Sequence, residues 1–265
     1  MPGDRQTVRR AVAGVAAVLL VAGMAGAWIR LGAGAGTGYG WRVWIFTALL
    51  WALWTADARS RAGWGRIAGF AALATGLSLA GEIFGLHTGW LYGSYRYERA
   101  FPGPRLAAVP VAVPLIWCGL AALAWSAWRT LLRAARVAPW IDVGGAAALL
   151  VSYDLVADPN HVRRGGWTFD DGPWRGVPWT NYMGWSILAL LTLGAARAAR
   201  LDVAGRGGAV SCGVYAAVLL YEAATTIRTG GASLPSVLVA SLGLALFAAA
   251  WRVARLRVAR PRSAA

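Results

Sequence analysis

Residues 208–251 read GAVSCGVYAAVLLYEAATTIRTGGASLPSVLVASLGLALFAAAW: two long apolar runs, 208–227 and 233–251, parted by a short polar stretch. Neither run alternates like a strand or keeps one polar face like a surface helix. Each has about the 20 mostly apolar residues that a helix needs to cross the hydrocarbon core of a membrane. The same reading recurs at 11–29, 41–56, 66–86, 106–129, 139–157 and 181–199. The expected fold class is therefore all-α, a polytopic transmembrane helix bundle of about eight spans, or seven if the short run 41–56 does not cross. The connecting loops are too short for a separate soluble domain, so 1–265 is expected to be one integral membrane domain.

Composition points the same way. Of 265 residues, 58% are apolar and only 14% charged, too little charge to cover a water-soluble surface of this size. A formal charge of +15 would suit nucleic acid. Here, though, the basic residues lie between apolar runs and not along one polar face, so membrane lipids are the expected partners and nucleic acid is not. Every basic residue is Arg, and the absence of Lys excludes Schiff-base chemistry and with it retinal binding. Cys118 and Cys212 fall inside predicted spans and are read as packing residues, not a disulfide framework.

Arginine placement orients the bundle. Seventeen of the 26 arginines lie in the N-terminus, the loops after the second, fourth and sixth spans, and the C-terminus; nine lie in the other loops. The richer side should be cytoplasmic, which puts both termini inside a bacterial cytoplasmic membrane. Arg5, Arg9 and Arg10 before an apolar run ending near Ala25-Gly26-Ala27 resemble a signal peptide. That run is longer than the usual h-region, so an uncleaved anchor is expected. The glycine-rich stretch 31–40 lacks the flanking strand and helix of a nucleotide-binding turn and is read as a connector.

Two segments break the apolar monotony: 81–114, GEIFGLHTGWLYGSYRYERAFPGPRLAAVPVAVP, and 152–185, SYDLVADPNHVRRGGWTFDDGPWRGVPWTNYMGW. Both begin with acids inside the end of a span, pass through an aromatic-rich loop and return to the membrane through Val-Pro. Both belong to the same outer side, as a site assembled from distant segments requires. Glu82 lies about one turn inside the third span. Asp154 and Asp158 are four apart and share a helix face, and Pro159 is expected to end that helix. Ionisable groups buried in a membrane are functional candidates by default, the bland alternative being ion pairs with Arg96, Arg163 or Arg164. For Glu222 a structural pair with Arg228 is expected. His87 and His161 could join a carboxylate in an iron site, but two histidines without tight spacing favour hydrogen bonding to the acids, and no metal or other cofactor is expected. Trp90, Tyr92, Tyr95, Tyr97, Trp167, Trp174, Trp179, Tyr182 and Trp185 crowd the same side, as interfacial anchors or as π faces beside the acids. Asn181 is placed to hold a water or cap the sixth span.

The first segment resembles the opening signature of the carotenoid biosynthesis integral membrane family, which includes CruF-type carotenoid 1,2-hydratases and bisanhydrobacterioruberin hydratase. The matching positions are Glu82, Thr88-Gly89, Tyr92-Gly93-Ser94-Tyr95-Arg96-Tyr97, Gly103-Pro104 and Val109-Pro110. The second signature falls on Asp154, Asp158-Pro159, Gly166-Trp167, Gly172-Pro173-Trp174, Gly176-Val177-Pro178, Asn181 and Gly184-Trp185. Trp90, Trp174 and Asn160-His161 depart from the family pattern.

The resemblance implies an acyclic carotenoid substrate and addition of water across the C1–C2 double bond of its ψ-end. Other enzymes of the carotenoid pathway are potential partners. An isolated alkene is a weak base and needs a positioned acid to protonate C2. The resulting tertiary cation at C1 is captured by water. Glu82, Asp154 and Asp158 are the expected acids, with Asp154 or Glu82 as donor. His87, Trp90, Tyr92, Tyr95, Tyr97, His161, Trp167, Trp174, Asn181 and Trp185 are expected to bind substrate. A cyclase or isomerase, an iron-dependent hydroxylase, and a non-catalytic carotenoid-binding protein are the alternatives.

Overall fold

The computed structural model describes residues 2–32, 39–132, 137–204 and 208–258; positions 33–38 of the glycine-rich connector lie outside them. Eight helices form the body: α1 (Pro2–Gly32), α2 (Arg42–Ala58), α3 (Trp64–Thr88), α4 (Ala112–Leu132), α5 (Pro139–Arg163), α6 (Trp179–Ala198), α7 (Ala209–Gly230) and α8 (Leu234–Val258). Six are long and apolar enough to cross a membrane by length and composition. The 17-residue α2 and the 20-residue α6 fall outside that set.

The outer faces show what solvent they need. Val12, Val15, Val18 and Leu19 on α1, Ile187, Leu190 and Leu191 on α6, and Leu238, Leu244 and Phe247 on α8 are all exposed. Water does not tolerate apolar faces this extensive. Helices satisfy their own backbone groups, so lipid can cover them. The chain is a multi-pass membrane protein.

The centre of the bundle is α4, packed against α2, α3, α5 and α7 and buried almost without interruption from Trp117 to Ala127. Gly119 lets α2 come close: a Cβ there would stand 2.6 Å from the Leu50 side chain. At one end of the bundle Arg129 joins three elements. Its Nε donates to Asp142 Oδ1 at 2.9 Å and its Nη1 to Asp202 Oδ1 at 2.8 Å, while Arg197 Nη1 reaches Asp142 at 2.9 Å. Buried charges are tolerated when paired this fully.

Two boundaries differ from the sequence reading. The fourth helix starts at Ala112, because β2 (Arg105–Leu106) and β3 (Val109–Pro110) first form a hairpin. Its tip residues Ala107 and Ala108 both have positive φ, 47° and 69°, as the tight turns matched to strand twist require. The fifth helix does not stop at Pro159 but runs on to Arg163. A proline cannot donate to the carbonyl four residues back, here that of Leu155. Trp174 Nε1 donates to that carbonyl instead, at 3.1 Å.

At the opposite end from Arg129, β1 (Tyr95–Tyr97) pairs antiparallel with β4 (Trp167–Phe169), with Arg96 opposite Thr168. This short ribbon ties the two signature segments together.

Candidate active site

Below the ribbon lies a cavity of about 580 Å³, within the range of sites that enclose a small organic ligand. It sits where α3 and α5 end and α6 begins. Four carboxyl groups line it: Glu82 from α3, Asp154 and Asp158 from α5, and Glu222 from α7. Their residues are only 2–6% exposed, so they face the bundle interior and not lipid.

The strand period places Tyr95 and Tyr97 on one face of β1 and Arg96 on the other. Both phenols donate to Glu82 Oε2, at 2.6 and 2.5 Å. Burial, and after it the Glu82 carboxyl, push these phenols far above the usual tyrosine range, so they keep their protons as donors. Arg96 turns outward to Glu98 at 3.2 Å and Asp170 at 3.7 Å, and does not pair with Glu82. Asn181, in the first turn of α6, donates its side-chain N–H to Asp158 and does not cap the helix. Asp154 Oδ2 is buried and receives no hydrogen bond.

Aromatic rings enclose these acids. Tyr92 stands 5.1 Å from Trp185, which stacks on Trp117 at 5.9 Å. The Tyr92 ring fits only because position 184 is glycine, where a Cβ would meet it at 2.6 Å. His161 stacks on Trp167 at 4.5 Å, and its Nδ1 is 2.6 Å from the Tyr39 hydroxyl. The lining also includes apolar groups, among them Leu19, Gly23 and Met24 of α1 and Ile45, Phe46 and Leu49 of α2.

Of the residues singled out in the sequence, Glu82, Asp154, Asp158, Tyr92, Tyr95, Tyr97, His161, Trp167, Asn181 and Trp185 line this one cavity. His87, Trp90 and Trp174 do not. The His87 ring is exposed with Nδ1 2.8 Å from the Ile83 carbonyl oxygen, and Trp90 is 75% exposed. Trp174 serves the proline-freed carbonyl and stacks on Trp179. The two histidines are not brought together, so the two-histidine, one-carboxylate arrangement is not assembled.

Glu222 also departs from expectation. Its Oε2 accepts from Asn160 Nδ2 at 2.7 Å, and it shares the cavity with Arg164. Arg228 instead lies over Trp28, 4.8 Å from the ring centroid. Sequence reasoning missed Tyr39, Tyr153, Arg164 and Tyr221 as cavity residues. None carries a local signal that separates it from an ordinary interfacial aromatic or loop arginine.

The bundle and cavity define a class: a multi-pass membrane protein holding carboxyl and aromatic groups in a pocket suited to an apolar ligand. More narrowly, the chain belongs to the carotenoid biosynthesis protein family, whose pattern it matches over residues 39–250. It is 33% identical over 123 residues to bisanhydrobacterioruberin hydratase of Haloarcula japonica, covering 46% of this chain and 42% of that protein. The match thus spans less than half the length of that relative. No solved structure matches the chain.

Proposed function

We propose that this protein is a hydratase that adds water to the terminal C1–C2 double bond of an acyclic carotenoid. The observation that carries the reading is the meeting of Glu82, Asp154 and Asp158, from two remote segments, in one aromatic-walled cavity. Asp154 is the proton donor. Glu82 Oε2 is taken by two phenols and Asp158 by Asn181, whereas Asp154 Oδ2 has no partner and is free to deliver its proton to C2. The cation left at C1 meets the faces of Tyr92, Trp117 and Trp185, each able to contribute up to about 2 kcal/mol when desolvated. Glu82 and Asp158 hold the charge and dipoles around it.

The lining of the cavity supports the substrate class. Its acidic and aromatic groups receive the end group, and its apolar groups from α1 and α2 take the polyene chain. A carotenoid is comparable in length to the hydrocarbon core, about 30 Å, so its end lies naturally near a leaflet boundary, where water is available. The arginine distribution puts that boundary on the outer side of the cytoplasmic membrane.

Expression in a host that accumulates lycopene or a similar acyclic carotene tests the reading. The expected product is heavier by one water, with its oxygen drawn from labelled water under anaerobic conditions. Asp154→Asn should cut it by a factor on the order of 10² to 10⁴, the usual contribution of a positioned acid. Oxygen taken from O₂, an isomer of unchanged mass, or unaltered pigment would each overturn the assignment.

A further inference from the structure

The proton donor and its neighbours are not the only ionisable groups of the cavity. Glu82, bonded by Tyr95 and Tyr97, Asp158, bonded by Asn181, and the unpartnered Asp154 form one group, and among the described residues none of the three makes an ion pair with an arginine. Glu222 belongs to a different group: the charges acting on it are those of Arg164 and Arg163. Tyr153 lines the same cavity. Arg164 reaches the Tyr221 hydroxyl at 3.5 Å, forms no ion pair with Glu222 within 4 Å, and leaves its buried Nε without a hydrogen-bond partner. His161, held by Tyr39, completes this wall.

A buried guanidinium N–H without an acceptor, in the same cavity as a carboxylate to which it is not paired, is a group that a bridging water molecule would satisfy. Water accepts from the first and donates to the second. We propose that Glu222 and Arg164 hold the water nucleophile and that Glu222 is the base of the addition. As the water oxygen bonds to the tertiary carbon, its O–H bond breaks and that proton passes to Glu222. Asp154, which gave its proton to C2, regains one from the medium while Glu222 releases one, so the cycle is neutral. Asn160 Nδ2, bonded to both the Glu222 carboxyl and its backbone carbonyl at 2.7 and 3.0 Å, sets the side chain in place.

The proposal rests on the hydratase reading, and one experiment separates the two. Membranes carrying the full chain are supplied with an acyclic carotene in D₂O, and deuterium is measured both in recovered alkene and in the alcohol. Protonation without capture returns the cation to alkene and leaves deuterium behind. Glu222→Gln should lower the alcohol on the order of 10²-fold while deuterium in recovered alkene persists. Glu222→Asp should restore part of the alcohol, and Asp154→Asn should lose both signals. The ratio of the two signals does not depend on how much protein accumulates. Should Glu222→Gln fail to accumulate, Arg164→Gln is expected to shift that ratio in the same direction. An unchanged ratio in these variants, with alcohol still made by the wild type, overturns the proposal alone. A wild type that makes no alcohol removes the hydratase reading and this proposal with it.

Discussion

Glu82 shows how a membrane helix can carry a carboxyl without an ion pair. Its two tyrosine donors come from a strand only three residues long, and the alternation of that strand alone brings both to the same oxygen. Hydrogen bonds to a carboxyl group contribute about 1.5–3 kcal/mol when the group is ionised. Tyr97→Phe should leave the bundle intact and slow turnover roughly 10-fold, the equivalent of about 1.4 kcal/mol. Adding Tyr95→Phe should cost more than the two single changes together, since either phenol alone still serves Oε2. Product formation in isolated membranes checks this, and an unaffected double variant would remove the pair from the site. The acids themselves were legible in the sequence because charge is rare in apolar runs. Their donors were visible only as an aromatic cluster, since nothing local says which tyrosine points inward.

The C-terminal part of α5 makes the same point for an element. Pro159 predicts a helix end, yet the helix continues because an indole N–H from another segment replaces the missing donor. The extra turn carries His161 to the cavity wall and Asn160 to the Glu222 carboxyl. Trp174→Phe should therefore lower stability by about 1 kcal/mol, the effect of stranding a part-buried carbonyl. In a Pro159→Ala background, which restores the backbone donor, the same change should be nearly neutral. Thermal unfolding in detergent, run as a double-mutant cycle, measures the coupling, and equal losses in both backgrounds would contradict the account.

The whole bundle has two chemically different ends. One closes on the Arg129, Asp142, Arg197 and Asp202 network, the other on the aromatic ribbon and cavity. Arginine bias predicts that the network end lies inside and the cavity end outside. A membrane-impermeant maleimide applied to intact cells should then label Arg99→Cys, exposed near the ribbon, and spare Arg252→Cys, exposed on α8. The native cysteines are both buried and should contribute little background. The reverse pattern would invert the topology and place the cavity at the cytoplasmic leaflet.

Hydrophobic run length by itself determined that this chain crosses a membrane several times, because the thickness of lipid sets one length scale that any apolar helix must meet. Rare acids flanked by aromatics likewise marked two segments of 34 residues as special. Only the tertiary structure decided that these segments pair through β1 and β4, that Glu222 bonds Asn160 and shares a cavity with Arg164 while Arg228 lies over Trp28, and that His87, Trp90 and Trp174 stand apart from that cavity. Those outcomes depend on which face each helix turns toward its neighbours. In helices that are apolar all round, sequence leaves that rotation open, and packing between them settles it.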